Sequence, residues 1–305
     1  MSLNVQALRV FVAVVENGGF SRAAARLRLS QPAVSKAVLA LERQQGLVLV
    51  ERGSRSVQAT RAGVALYERA LEMFAVERSA EEELHAHRTL EKGVLRIGAS
   101  TTIATYMLPA LLGEFRAAHP GLQLRIVSAN TRDIARALLL RRLDIALVEG
   151  PVTHERLQLF PWRTDEMVVI AAPEHPLSQK RAPLPPALIN GCEFVRRERG
   201  SGTREVAEAA LAALGIAPRF SLTLGTTEAV KQSVAAGLGL AIISRAAVVD
   251  QLALGRVVEL RIADFAVNRQ LSRMQLVGRS RSPAAVAFDA LLELSNGTSR
   301  KIPTV

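Results

Sequence analysis

A single cysteine, Cys192, in 305 residues excludes an internal disulfide and fits a reducing compartment. Long apolar runs are missing too. No stretch approaches the roughly 18 uninterrupted apolar residues that a membrane span requires. The opening MSLNVQALRVFVAVVENGG has neither a basic leader nor a small-residue cleavage site, so no signal peptide and a cytoplasmic location are expected. The five histidines (His85, His87, His119, His154, His175) are scattered, and His85 and His87, two apart in a helical stretch, face different ways. They make a poor metal set, and no cofactor is expected. Cys192 has no sequence-local partner and lies beside an apolar strand, as a buried small hydrophobe would. The segment Gly200-Ser201-Gly202-Thr203-Arg204 lacks the lysine of a phosphate-binding P-loop. These gaps argue against an enzyme. There is no short-period repeat and no low-complexity segment.

What is present is a basic chain with enough apolar residues, 49%, for about two domains. The formal charge is +11, and residues 1–60 carry eight Lys/Arg against three acids. That local excess suggests a polyanionic partner, although a solvated basic surface would look the same.

The first helix is expected over residues 4–17, with Val5, Leu8, Val12 and Val15 on one stripe and Gly18-Gly19 as its stop. Ser21 is placed to cap a second helix, SRAAARLRL, with Phe20 as a hydrophobic staple. Leu29-Ser30-Gln31 then leads almost at once into SQPAVSKAVLALE. Ser30 is a good N-cap there, and Pro32 suits a first turn whose N–H groups are unpaired anyway. Val34, Val38 and Leu41 form the apolar stripe, while Gln31, Ser35 and Lys36 project elsewhere. Two helices joined this tightly read as a helix-turn-helix, whose second helix lies in the major groove of DNA. LVLVERGSRSVQAT reads as a β-hairpin, a wing with Arg52 and Arg55 near its tip, where they could meet phosphates or a minor groove.

From Thr60 to about Glu91 a long helix is expected. Its Val64, Tyr67, Leu71 and Phe74 fall at a spacing that suits a coiled-coil seam, hence dimerisation. The alternative is an ordinary linker helix packed on its own domain. After Gly93, strands alternate with helices: VLRIGAS, a helix near Met107 to Ala118, LQLRIVS, a helix over Arg132 to Arg141, and DIALVEG. MVVIAA, CEFVRR, a helix from Thr203 to Leu214, RFSLTLG, a helix from Glu228 to Ala236, and LAIIS form a second set. This is α/β architecture, expected as two lobes with a cleft between them.

AAARLRLSQPAVSKAVLALERQQG, the wing through Thr60-Arg61-Ala62-Gly63, and VLRIGAS followed by LPALLGEFRAAHPGLQLRI together resemble the LysR-type transcriptional regulators over nearly the whole chain. The resemblance implies a winged helix-turn-helix over residues 1–60 and a dimerising linker helix over 61–91. It implies an effector-binding domain over 92–305 built as two Rossmann-like lobes in the manner of periplasmic binding proteins. Lobe I is expected at about 92–163 and 266–300, and lobe II at about 164–265. The implied function is sequence-specific regulation of transcription on double-stranded DNA by a homotetramer, a dimer of dimers, with RNA polymerase as a further partner. Val50 stands where the family generally has Phe, and Ala59 where it commonly has Leu, which shrinks the apolar anchor under the wing.

Carried over residue by residue, the resemblance assigns DNA contact to Gln31, Pro32, Ala33, Ser35 and Lys36, with Ser21, Arg22, Arg52 and Arg55. Gln31 can hydrogen-bond an adenine edge, Pro32 and Ala33 can touch a thymine methyl, and Lys36 can bind phosphate or guanine. Helix initiation alone would equally account for Pro32.

The effector is expected between the lobes. Ser100, Thr101 and Thr102 follow the first strand of that half; Asn130 and Thr131 follow the next; Gly150 ends DIALVEG. Ser201, Gly202, Thr203 and Arg204 open one helix, and Thr226 and Thr227 another. Helix N-termini offer unpaired N–H groups and a positive dipole end, so a small anion is the expected ligand. GSGTR together with LGTTEAVKQSVAAGLGLAIIS is similar to the branch whose members sense small anions or carboxylated metabolites of sulfur and carbon assimilation. The competing reading is that Ser100, Thr203 and Thr227 are helix caps and nothing more. A solute-binding protein for transport would explain the C-terminal half, but has no use for the first 60 residues.

Overall fold

The computed structural model describes residues 3–52, 57–86 and 93–296, which divide into two compact units, the first running to Glu81. In the first unit, α1 (Val5–Asn17) is capped by Asn4, whose side chain accepts from Ala7 N, and ends on Gly18 in the left-handed region. It buries far more than one stripe. Ala7, Leu8, Val10, Phe11, Val12, Ala13 and Val14 are all inside, whereas Val5 is exposed, because α1 is the central helix on which two others pack. α2 (Phe20–Leu27) begins two residues earlier than expected: its N-cap is Gly19 rather than Ser21, so Ser21 sits within the first turn and caps nothing.

α3 (Gln31–Gln45) is capped by Ser30, which accepts from Ala33 N at 3.3 Å, and turns Val34, Val38 and Leu41 into the core. Glu42 Oε1 then accepts from Leu49 N at 2.8 Å and Val50 N at 3.2 Å, tying α3 to the base of the wing. The wing is the hairpin of β1 (Val50–Arg52) and β2 (Val57–Ala59), in which the two departures from the family pattern, Val50 and Ala59, stand directly opposite each other. Val50 is nonetheless buried.

α4 (Arg61–Ala86) starts where Thr60 Oγ1 accepts from Gly63 N at 3.0 Å and donates to Val48 O at 2.8 Å. Tyr67, Leu71 and Phe74, assigned above to a coiled-coil seam, instead pack half-buried on the core of α1 and its neighbours, with Arg9 stacked on the Phe74 ring at 4.5 Å. The outward apolar positions are Val64, Met73 and Val76. Spacing alone identifies a stripe but not what covers it.

The second unit alternates strands and helices: β3 (Gly93–Ser100), α5 (Thr101–Tyr106), α6 (Leu108–Ala118), β4 (Leu122–Ala129), α7 (Thr131–Leu139) and β5 (Ile145–Glu149). β3 runs parallel to both β4 and β5. A long strand, β6 (Leu157–Ala171), leads to β7 (Glu193–Arg197), α8 (Gly202–Ala213), β8 (Arg219–Leu224), α9 (Thr227–Ala235) and β9 (Ala241–Ser244). The chain closes through α10 (Val249–Ala253), β10 (Val258–Leu260), β11 (Val267–Leu276) and α11 (Pro283–Asn296). The antiparallel pair β6 and β11, which runs from Val267 against Met167 to Leu276 against Leu157 with a register shift between Leu271 and Ser272, is common to the two lobes.

Each lobe fills both faces of its sheet. In lobe I, Leu95, Ile97, Phe115 and Phe288 form one core and Ile134, Leu138 and Met274 the other. Lobe II is built on Phe194, Leu211 and Ile242 and on Val195, Val234 and Ile243. Strands buried on both faces read as unbroken apolar runs, and β5, IALVE, is buried throughout. Its last residue is a glutamate.

Candidate functional site

The recognition face of α3 is the side left over once Val34, Val38 and Leu41 point inward. Gln31, Pro32, Ser35 and Lys36 line one shallow concavity of about 480 Å³, which continues through Leu39, Ala40 and Arg43. The sequence reading missed Leu39 and Arg43, which the helical repeat places one and two turns further along the same face. Ala33 is exposed beside them. Arg22 is exposed, with Nη2 donating to Gly18 O at 2.7 Å, so it also closes the end of α1. Arg55 and the Arg52 side chain lie outside the described residues.

In the α/β unit, β3, β5 and β7 end at the junction of the lobes, at the carboxyl edge where open α/β sheets bind ligands. Ser100 and Thr102 come from lobe I and Ser201, Thr203 and Thr227 from lobe II, and all five are buried. None of them makes a capping hydrogen bond. Asn130 Oδ1 accepts from Asp133 N at 3.0 Å to cap α7, and Thr226 accepts from Ala229 N to cap α9. The capping alternative therefore fails for Ser100, Thr203 and Thr227, and the caps are made by Asn130 and Thr226 instead.

These hydroxyls converge on a group that the sequence reading overlooked, the carboxylate of Glu149. Ser100 Oγ donates to it in a short bond, Thr203 Oγ1 donates at 2.9 Å, and Thr102 Oγ1 donates at 3.3 Å. Arg269, on β11, donates from Nη1 to Thr203 Oγ1 at 2.8 Å, stands 3.6 Å from Glu149 Oε1, and pairs through Nε with Asp165 at 2.8 Å. Asp165 also accepts from Ser244 Oγ at 2.7 Å. Burial pushes the Asp165 carboxyl above its ordinary range, with Arg269 and Ser244 pulling back. A second arginine, Arg197 at the end of β7, donates to Thr101 Oγ1 at 2.8 Å in lobe I, to Thr227 Oγ1 at 2.9 Å, and to Glu198.

Two polar atoms inside this junction have no hydrogen-bond partner among the described residues: Ser201 Oγ and Arg269 Nη2. A buried donor left unpaired costs about 1–3 kcal/mol, more when charged, so these two atoms have hydrogen-bonding capacity left over. Arg204, by contrast, turns to Glu208 at 2.8 Å and lines the interior of lobe II rather than the junction.

Gly150 and Gly202 serve approach rather than contact with a ligand. A Cβ on Gly202 would stand 1.9 Å from Glu149 O, and one on Gly150, at φ +78, would stand 2.8 Å from Gly202 Cα. The lobes meet backbone to backbone here. Gly202→Ala is expected to lower the stability of this unit by about 1–3 kcal/mol in urea unfolding, the cost of overpacking a closed contact. An unchanged midpoint would mean that the contact does not persist in solution.

At the outer rim a clasp joins the lobes. Tyr106 donates to Glu228 Oε2 at 3.1 Å, and Lys231 Nζ pairs with Glu228 at 2.8 Å while lying 4.9 Å from the Tyr106 ring. The bond to Lys231, chiefly, holds the Glu228 carboxyl below its usual range.

A winged helix-turn-helix in the same chain as a two-lobed α/β domain, with unpaired polar atoms where the lobes join, defines a DNA-binding regulator with a ligand-binding domain. The chain belongs to the LysR family of bacterial transcriptional regulators. Residues 5–64 match the family's bacterial regulatory helix-turn-helix domain, and residues 88–295 match its LysR substrate binding domain. It is 35% identical over 265 residues to the HTH-type transcriptional regulator CysL of Bacillus subtilis, covering 87% of this chain and 88% of CysL. It is equally 35% identical over 288 residues to the RuBisCO operon transcriptional regulator of Allochromatium vinosum, covering 94% and 95% of the two chains. Among solved structures, the CcmR regulatory domain of Synechocystis PCC6803 in complex with 2-PG is 30% identical, with a TM-score of 0.63 over 70% of this chain and 100% of that one. The fold of full-length CbnR, solved with its target DNA, is shared at 21% identity and a TM-score of 0.71 over 96% of this chain and 99% of that one. These relatives are transcriptional regulators of the same family. They also set aside the enzyme and transport readings. Among the described residues, no helix is long and apolar enough to cross a membrane, and no cluster of His, Cys, Asp or Glu could hold a metal.

Proposed function

We propose that the chain reads its operator through Gln31, Pro32, Ala33, Ser35 and Lys36 of α3, with Ser21 and Arg22 beside them and Arg52 and Arg55 of the wing on the adjoining groove or phosphates. It acts in the cytoplasm as a dimer of dimers and answers to RNA polymerase. A small anionic effector, a sulfur oxyanion or a short carboxylated or phosphorylated acid, binds between the lobes and shifts the grip on DNA by favouring one arrangement of them. The 2-PG held by the CcmR domain is of this class.

The observation that carries the reading is the pair of buried, unpartnered atoms, Ser201 Oγ and Arg269 Nη2. Glu149 occupies the hydroxyl cluster as an acceptor, so the effector anion takes its place on Ser100, Thr102 and Thr203 while Arg269 and Arg197 supply the charge. Thr101, Thr131, Gly150, Gly202, Thr226 and Thr227 frame the site, and Asn130 and Arg204 act only through the helices they hold.

Calorimetric titration of the whole chain with such anions tests the site. Ser100→Ala combined with Thr203→Ala is expected to weaken the best ligand of a screened panel at least tenfold. Equal affinity in the double variant would remove the interlobe assignment while leaving DNA binding untouched.

A further inference from the structure

Beside the junction, sharing only Thr131 with the residues given to the effector, lies a groove of about 340 Å³ on the flank of the same α/β unit. Its floor is α7 of lobe I, its walls are Pro151 and Val152 after β5 and Gly200 and Glu205 of lobe II, and His154 stands at its rim. Arg132 and Arg136 line it from successive turns of α7. Residues spaced i, i+4 project about 6 Å apart on one face. Both arginines are exposed, and neither side chain has a hydrogen bond or ion pair with another described residue. Arg196, Arg245, Arg279 and Arg281 of the same unit are instead committed to carboxylates. His154 accepts from Arg156 N through Nδ1 at 3.1 Å, which leaves Nε2 as a donor. Glu205 is the one carboxylate in the lining.

We infer that this groove is a second ligand site, for a phosphorylated metabolite with two anionic groups, one set between Arg132 and Arg136 and the other at His154, its carbon skeleton against Pro151 and Val152. The volume lies at the lower end of the range for small-molecule sites, larger than a single oxyanion needs. Paired planar guanidinium groups suit phosphate through parallel N–H donors. The groove touches both lobes: Arg132 N donates to Gly200 O at 3.1 Å, and Thr131 Oγ1 donates to Glu149 O at 2.8 Å. A ligand that draws Arg132 outward thus acts on the two chain segments that also form the buried junction. Occupancy of one site then biases the other, and the coupling is reciprocal.

Inorganic pyrophosphate, which carries two linked anionic groups, is the probe. Calorimetry on the full chain at about 0.15 M salt, where exposed charges are largely screened, should show a site that Arg132→Gln with Arg136→Gln weakens at least tenfold. A charge-matched control, Arg116→Gln with Arg125→Gln, should stay within twofold of the parent, as should Ser201→Ala in the junction. All variants lie on the surface or replace a single hydroxyl, and urea midpoints within error of the parent establish that they fold. Equal weakening by the control pair, loss of the site in Ser201→Ala, or no saturable binding by the parent would each overturn the inference. None of these outcomes bears on whether a smaller anion binds between the lobes.

Discussion

Arg269→Met is expected to destabilise the α/β unit by about 3–5 kcal/mol, the largest effect of any single substitution considered. Arg269 is 3% exposed and is the cation that stands against Asp165, at 5%, and Glu149, at 1%. Methionine fills much of the same volume, so the loss is not a cavity effect. It arises because two carboxylates remain in a medium that solvates them poorly, and removing one partner of a buried pair is far costlier than never having had the pair. Urea unfolding followed by circular dichroism reads the change.

The pH dependence separates this account from simple loss of packing. The Asp165 carboxyl already titrates above its ordinary value of 3.8, mainly through burial, and Arg269 is the strongest influence holding it down. A carboxyl raised in the folded state stabilises the fold when protonated, below its unfolded pKa, and that contribution is lost as pH rises through the folded value. Without Arg269 the folded value climbs further. The gap between variant and parent should therefore narrow as pH falls from neutrality toward 5, and adding Asp165→Asn should recover part of the loss at pH 7. A gap independent of pH would assign the damage to packing instead.

Lys36→Glu should weaken specific operator binding by about 2–4 kcal/mol, on the order of a hundredfold, with no change in stability. Lys36 is exposed on the free face of α3, so nothing in the fold depends on it. The loss combines a contact of about 1–3 kcal/mol with repulsion from the phosphates. Fluorescence anisotropy on an operator fragment measures it, and Lys36→Gln distinguishes the two roles left open for the side chain. A phosphate contact would lower the slope of log affinity against log salt by about one; a guanine contact would leave the slope nearly intact and relax sequence preference at one base pair. Retention of full affinity by Lys36→Glu would contradict the placement of α3 in the groove.

The N-terminal module was legible because its determinants are local. Ser30 and Pro32 start a helix, Val34, Val38 and Leu41 choose its buried side, and the recognition face is the remainder. Ser21 misled, since Gly19 takes the cap one residue before Phe20 can extend the helix. The stripe of Tyr67, Leu71 and Phe74 was seen correctly as apolar, but its partner, the core around α1, is distant in sequence and could not be read from spacing.

The ligand junction was half legible. Hydroxyls at the ends of strands and the starts of helices pointed to the right loops, and Ser100, Thr102, Ser201, Thr203 and Thr227 do come together. Glu149, Asp165, Arg197 and Arg269 escaped because each lies within or at the end of a strand, where a charge looks like a solvated edge. A usable signal was present in β5: a carboxylate ending an otherwise wholly apolar strand has to find its partners inside.

By itself the sequence determined the order of elements, the helix-turn-helix with its two faces, and the segments that meet where the lobes join, since caps, periodicity and turn residues act within a few positions along the chain. The tertiary structure alone decided which hydroxyls cap and which converge, that a glutamate from β5 fills their centre, and that Arg269 from the far end of the chain neutralises it. Those choices rest on desolvation and on contacts across more than a hundred residues, which no local pattern encodes.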